Sequence, residues 1–311
     1  MRWRGRSEVQ PGWAVVDADG GEFALVRGDY DGDGRPRLLE CALRACDPDG
    51  GGLARAAKDF ALAKQRCLTL LKPDEYQLLV VEAPKLPREE WKSAARWLVK
   101  EMLDYDVDTA AFEVLDIPPL PGAHVRAHQI FAVAARNDVL AAYINRYSDA
   151  KLPLAVIDIP ETAQRNLCAL HEPGQRAAGL AYFDDDGGLF TVTHGGELYM
   201  SRRIETGMRD LLADGAPQRA EALDRILLEV QRSLDHFERQ YNEIPIARIV
   251  LGPEPRDTGL AAHLAKNLAP PVSVMDLAAV VGLPDGGIDP ALQWRLFHLI
   301  GAALRATPPN H

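Results

Sequence analysis

The chain has 311 residues, 47% of them hydrophobic and 26% charged, with a formal net charge of −10. Such a composition supports a buried core in one large or two medium domains and excludes a disordered chain. The acidic balance, with no basic stripe beyond Arg2, Arg4 and Arg6, argues against nucleic acid as a ligand, and no apolar run approaches the roughly eighteen residues of a membrane span.

The chain opens with apolar runs at 13–17, 22–26 and 37–41, separated by Asp-Gly and Gly-Gly clusters, which predicts a β-meander. An alanine-rich helix is expected over 53–67. A distinct block follows: strand 77–82, helix 87–105, strand 111–115 and strand 129–134. Pro87 opens its helix, Glu89 and Glu90 lie in the first turn, and Trp91, Ala94, Ala95, Leu98, Met102 and Tyr105 recur as one apolar face. Asn137 reads as the N-cap of a helix with Leu140, Tyr143, Ile144 and Tyr147 on one side. Strand 154–159 and helix 163–170 complete the first half.

The second half repeats the order. Strands 179–183, 188–193 and 197–204 form another meander. A long amphipathic helix over 218–241 buries Leu223, Ile226, Leu227, Val230, Leu234, Phe237 and Tyr241, with Glu221–Arg225, Arg225–Glu229 and Asp235–Arg239 spaced four apart outside. Strand 246–251, a helix carrying Leu260, Leu264 and Leu268, and a last helix opened by Asp289-Pro290 follow. This order predicts an α/β protein of two related, sheet-centred lobes.

Among chemical motifs, Asp29, Asp31, Asp33 and Gly34, with Glu40 in twelfth place, satisfy a calcium-loop pattern. Pro36 in the eighth place and strand-like flanks oppose it, so a solvated hairpin turn without Ca²⁺ is expected. His124 and His128 lack a third metal ligand, and Ser233 and His236 lack an orienting carboxylate. No nucleophile-elbow, zincin or Walker pattern occurs. Cys41, Cys46, Cys67 and Cys168 form no CxxC and read as reduced, mostly buried thiols of a cytoplasmic protein, and no signal peptide is expected. The N-terminal arginines read as a solvated terminus; the alternative is weak attraction to anionic lipid, worth about 1 kcal/mol per basic residue.

Several segments resemble the MshI/PilM family of type IV pilus assembly proteins. They are residues 76–84 with Pro87, Ala95-Arg96-Trp97 and Asp104-Tyr105; residues 157–161 with Arg165-Asn166-Leu167; residues 228–235 with 249–252; and 301–305. The matches run from about residue 13 to 305. The resemblance implies an actin-like (ribonuclease H-like) two-lobed α/β fold with an inserted FtsA/PilM-type subdomain. Residues 11–70, with 136–175 and 289–305, would form the first lobe, 71–135 the insert, and 176–288 the second lobe. The cytoplasmic domain of the type II secretion protein GspL is a more distant relative.

The resemblance further implies a nucleotide cleft made by three turns. Here these contain Asp17, Gly20 and Gly21; Asp184, Gly187 and Gly188; and Gly252. The first lacks Lys, Ser or Thr, the second places three carboxylates together, and the third reads Gly252-Pro253-Glu254-Pro255, where proline removes a donor. The expectation is a degenerate, non-hydrolysing member with no catalytic residue and no required cofactor. It would be a scaffold at the inner face of the inner membrane that holds the cytoplasmic tail of a bitopic PilN/MshJ-like partner, with a pilus assembly ATPase as a further contact. The alternative is an active switch using ATP and Mg²⁺ in a pilus or type II secretion platform.

Overall fold

The computed structural model describes residues 12–19, 21–46, 51–119 and 127–306; Arg2, Arg4, Arg6, Gly20 and His124 lie outside them. The first meander is β1 (Trp13–Asp19), β2 (Glu22–Tyr30) and β3 (Pro36–Ala45). α1 (Gly51–Asp59) ends well before residue 67, because Ala61 adopts a left-handed φ of 51° and turns the chain. Leu62–Lys64 form a single 3₁₀ turn, and Cys67 opens β4 (Cys67–Leu70), an interior strand whose short apolar run carries no alternation.

The next block holds β5 (Tyr76–Glu82), α2 (Trp91–Leu98), β6 (Ala110–Ile117) and β7 (Gln129–Arg136). Its strands form a separate antiparallel sheet in the order β5-β7-β6. The expected helix 87–105 is corrected to one short helix between two single 3₁₀ turns. Its buried side is Trp91, Ala95 and Val99, whereas Leu98 is 45% and Met102 50% exposed. The four-residue rhythm of Trp91, Ala95 and Val99 won over the broader face read from the sequence.

α3 (Asn137–Asp149) begins at Asn137, but Arg136 is its N-cap and makes no side-chain cap; Asp138 pairs with that arginine instead. Tyr143 and Tyr147 are buried and Ile144 is exposed. β8 (Leu154–Asp158) and α4 (Pro160–Ala169) close the first half. Then come β9 (Ala177–Phe183), β10 (Gly188–His194), β11 (Glu197–Ile204), α5 (Met208–Leu211), α6 (Ala216–Gln240), β12 (Ile246–Leu251), α7 (Leu260–Asn267), β13 (Val272–Val274) and α8 (Leu277–Val280). The last helix is two, α9 (Pro290–Arg295) and α10 (Phe297–Ala303), broken at Leu296. Asp289 caps α9 by accepting from the Ala291 amide at 2.9 Å, as its Asp-Pro start predicts.

The two five-stranded sheets have the same topology. In β3-β2-β1-β4-β8 and in β11-β10-β9-β12-β13, the first strand of each half is central, antiparallel to the second and parallel to the fourth. β9 is buried along its whole length, which explains its unbroken apolar sequence.

α4 and α10 pass between these sheets and cross closely. A β-carbon on Gly301 would collide with the Ala163 carbonyl, so only glycine allows the crossing. One buried cluster runs from Trp13, Val15 and Leu68 through Ala163, Leu167 and Ile300 to Leu180 and Val250. Buried Gln164 in α4 donates to the Leu180 and Leu189 carbonyls at 2.8 and 2.9 Å, satisfying an amide that would otherwise cost about 1–3 kcal/mol.

Candidate functional site

The three turns expected to form a cleft converge on the junction between α9 and α10. Glu22, closing the first turn, pairs with Arg295. The adjacent Trp294 donates its indole N–H to the Phe183 carbonyl at 2.8 Å, where β9 enters the second turn. Tyr182 donates its hydroxyl to the Trp294 carbonyl at 2.7 Å. At the third turn, a β-carbon on Gly252 would lie 2.9 Å from the Tyr182 ring and 3.3 Å from that of Phe297. Those two rings stack with centroids 4.2 Å apart. Residues 294–297 therefore bridge all three turns with side chains of the protein itself.

The turn amides are also committed. The Asp184 carboxylate accepts from the Asp186 and Gly187 amides at 3.0 and 2.9 Å, an Asx-type closure that uses N–H groups otherwise able to meet a phosphate. The Asp184 carbonyl takes the Met208 amide at 2.7 Å, seating the start of α5 beneath the turn. A β-carbon on Gly188 would strike the Phe183 ring. In the first turn, Gly21 has φ 83° and its carbonyl accepts from the Cys46 amide at 2.7 Å. Asp17 lies near Tyr143 and Tyr147. Burial raises both phenols, at Tyr143 with help from the Glu75 carboxylate that accepts its hydroxyl, and the charge of Asp17 adds less. In this arrangement the Asp186 and Gly187 amides are taken by the Asp184 carboxylate, and the Gly252 turn is packed by Tyr182 and Phe297.

A second cluster was invisible in the sequence. Glu161, 1% exposed at the start of α4, accepts from Arg203 of β11 at 2.8 Å and from the hydroxyl of Tyr76 in β5, and Arg203 also donates to that hydroxyl. One residue comes from each of the three sheet-bearing regions. Burial first, and then the Glu161 charge, lifts the Tyr76 phenol far above its usual value. Beside it, Asp158 pairs with Arg305 at 2.5 Å and holds Thr162. The Pro160-Glu161 helix start was a local clue, but its partners are 85 and 42 residues away.

The calcium-loop residues do not converge. Asp29 is buried and binds Arg37 through two bonds of 2.5 and 3.0 Å. Asp31 caps its own turn by accepting from the Asp33 and Arg35 amides at 3.0 and 2.9 Å. Glu40 pairs with Arg27 at 3.1 Å. The flanks are β2 and β3, not helices. Among the described residues, no group of three His, Cys, Asp or Glu side chains is placed to hold a metal ion. The four cysteines are free thiols, and burial pushes Cys41, Cys67 and Cys168 up to about 12, which disfavours their thiolate forms.

No family model matches the chain, and no curated protein matches it in sequence. Among solved structures it matches a chain of the "PilM-PilN type IV pilus biogenesis complex" with a TM-score of 0.67 at 18% identity, covering 94% of this chain and 97% of that one. Weaker likenesses include the cytoplasmic domain of EpsL, an inner membrane component of the type II secretion system of Vibrio cholerae (TM-score 0.47, 11% identity, 94% and 93% covered). Another is a Bacteroides thetaiotaomicron protein of actin-like ATPase fold and unknown function (0.47, 11%, 93% and 96%). The fold is thus the two-lobed actin-like fold, of the variety seen in the pilus complex.

Proposed function

We propose that this chain is a scaffold of a type IV pilus assembly that holds the cytoplasmic tail of an inner-membrane, PilN-like protein without the help of nucleotide. The observation that carries the reading is the likeness in fold, over nearly the full length of both chains, to a component of a complex named for PilM and PilN. The bridge at residues 294–297 supports its nucleotide-independent part, since it puts protein side chains where an actin-like clamp would need space. Within this reading, 71–135 is an inserted subdomain between a first lobe (11–70, 136–175, 289–305) and a second (176–288). The pilus is of the MSHA type and the chain its MshI-like component. It works on the inner face of the inner membrane through its partner: among the described residues no helix is long and apolar enough to cross a membrane. A pilus assembly ATPase is its further contact.

The tail is captured as an extended segment held by main-chain bonds and a few side-chain pockets. The test is fluorescence anisotropy of a labelled peptide carrying the cytoplasmic tail of the PilN-like protein from the same organism. Saturable binding at micromolar protein supports the scaffold; no binding up to the solubility limit refutes it.

A further inference from the structure

A groove of about 550 Å³ lies between the inserted sheet and the second lobe. Val80 and Phe131 form one wall and Tyr199 to Arg202 of β11 the floor. Arg232, His236 and Arg239 of α6 recur at helical spacing along the other wall. No Asp or Glu lines it, in a chain whose net charge is −10. The carboxylate at its rim, Glu229, is shared between Arg202 at 3.4 Å and Arg232 at 2.8 Å, so it neutralises one guanidinium at most. These arginines are 58% and 62% exposed at the side chain, reachable by an incoming anion.

The wall at Val80 is β5, the terminal strand of its sheet. Its sequence, Tyr-Gln-Leu-Leu-Val-Val-Glu, has neither the lysine nor the proline that usually guards an exposed edge, and Val80 is 46% exposed. The neighbouring edge, β11, carries Arg202 and Arg203 just before its last residue, Ile204. A larger groove beside Leu39 differs on both counts: it mixes Asp31 and Asp285 with Arg35 and Arg37, and the start of β3 is already bonded to Gly282.

We propose that this groove binds an extended acidic segment of a partner protein, which adds as a strand to the edge of β5 and sets carboxylates against Arg202 and Arg232. The proposal rests on the scaffold reading only in taking the ligand to be a polypeptide.

The probe is a short fluorescein-labelled peptide of alternating glutamate and valine, compared with its lysine–valine counterpart. The glutamate peptide should bind, weaken with added salt, and slow amide hydrogen exchange in β5. Arg202→Glu combined with Arg232→Glu, at exposed positions where thermal unfolding should stay unchanged, should weaken it roughly tenfold or more. Binding by neither peptide, equal binding by both, indifference to the charge reversals, or exchange protection outside β5 would each overturn the proposal. Tail capture is read with a different peptide, so it can stand or fall separately.

Discussion

Trp294 and Phe183 are joined by a 2.8 Å hydrogen bond from the indole N–H to the main-chain carbonyl, and Tyr182 returns a 2.7 Å bond to the carbonyl of Trp294. The pair locks α9 to the strand that leads into the second turn. Trp294→Phe keeps most of the ring but deletes the donor, leaving the Phe183 carbonyl to find water. A loss of about 1–2 kcal/mol is expected in urea denaturation. Trp294→Ala should cost more, about 2–4 kcal/mol, because its packing against both lobes goes as well. Unfolding midpoints indistinguishable from the parent would show that the bridge does not hold the lobes.

The buried Glu161 carboxylate depends on Arg203 and Tyr76. Arg203→Leu strands that charge. Since Arg203 is 41% exposed and water can partly replace it, the expected cost is about 2–3 kcal/mol, below the range for fully buried pairs. Adding Glu161→Gln to the Arg203→Leu chain should recover much of the loss, because the stranded charge is then gone. A double variant no more stable than Arg203→Leu alone would mean that packing, not charge, dominates.

Stability should fall with acid in a way that traces to His298. The imidazole packs edge-on against the stacked Tyr182 and Phe297 rings and meets Gln164 Oε1 at 3.1 Å. Burial, aided by the charge of Arg203, lowers it to about 3. The unfolded chain, with an ordinary histidine pKa near 6.5, then binds its proton first. Stability is therefore lost as pH drops below about 6.5, and the loss continues toward pH 3, by at most about 1.4 kcal/mol per pH unit. His171, lowered by its own burial and by Arg248, acts in the same direction. His298→Gln should shrink the stability lost between pH 7 and pH 5 by about 1–2 kcal/mol. An unchanged slope would mean that the ring is protonated in the folded protein.

The two-lobed plan was legible because each meander has apolar runs punctuated by Asp-Gly and Gly-Gly turns, and the long helix α6 keeps its apolar period through Phe237. β4 was not legible: Cys67–Leu70 is buried from both sides and has no alternation to separate it from the helix before it. The face of α2 was misread because Leu98 and Met102 fit a helical period yet point to solvent, a choice made by the sheet beneath. The turns of the candidate cleft were named by the resemblance. What fills the space between them could not be read from the sequence, since Trp294 and Phe183 are 111 residues apart. The Tyr76–Glu161–Arg203 cluster was hidden for the same reason.

The hairpin at Asp29 is expected to stay free of calcium. Asp29 is held by Arg37 and Asp31 by its own turn amides, so a cation would have to break both sets of bonds to gain its ligands. Titration calorimetry with CaCl₂ should show only heat of dilution. A one-site isotherm in the micromolar range that vanishes in Asp31→Ala would contradict this.

The central claim is that the partner's tail is held without reference to nucleotide. The most direct measurement is the affinity of the labelled tail peptide for the purified protein, by fluorescence anisotropy, with and without Mg-ATP. A ligand that does not bind, or that binds two states equally, shifts no population. The account predicts one dissociation constant under both conditions. A change of roughly tenfold, about 1.4 kcal/mol of coupling, would show that the bridged turns still read ATP, and the chain would then be a switch.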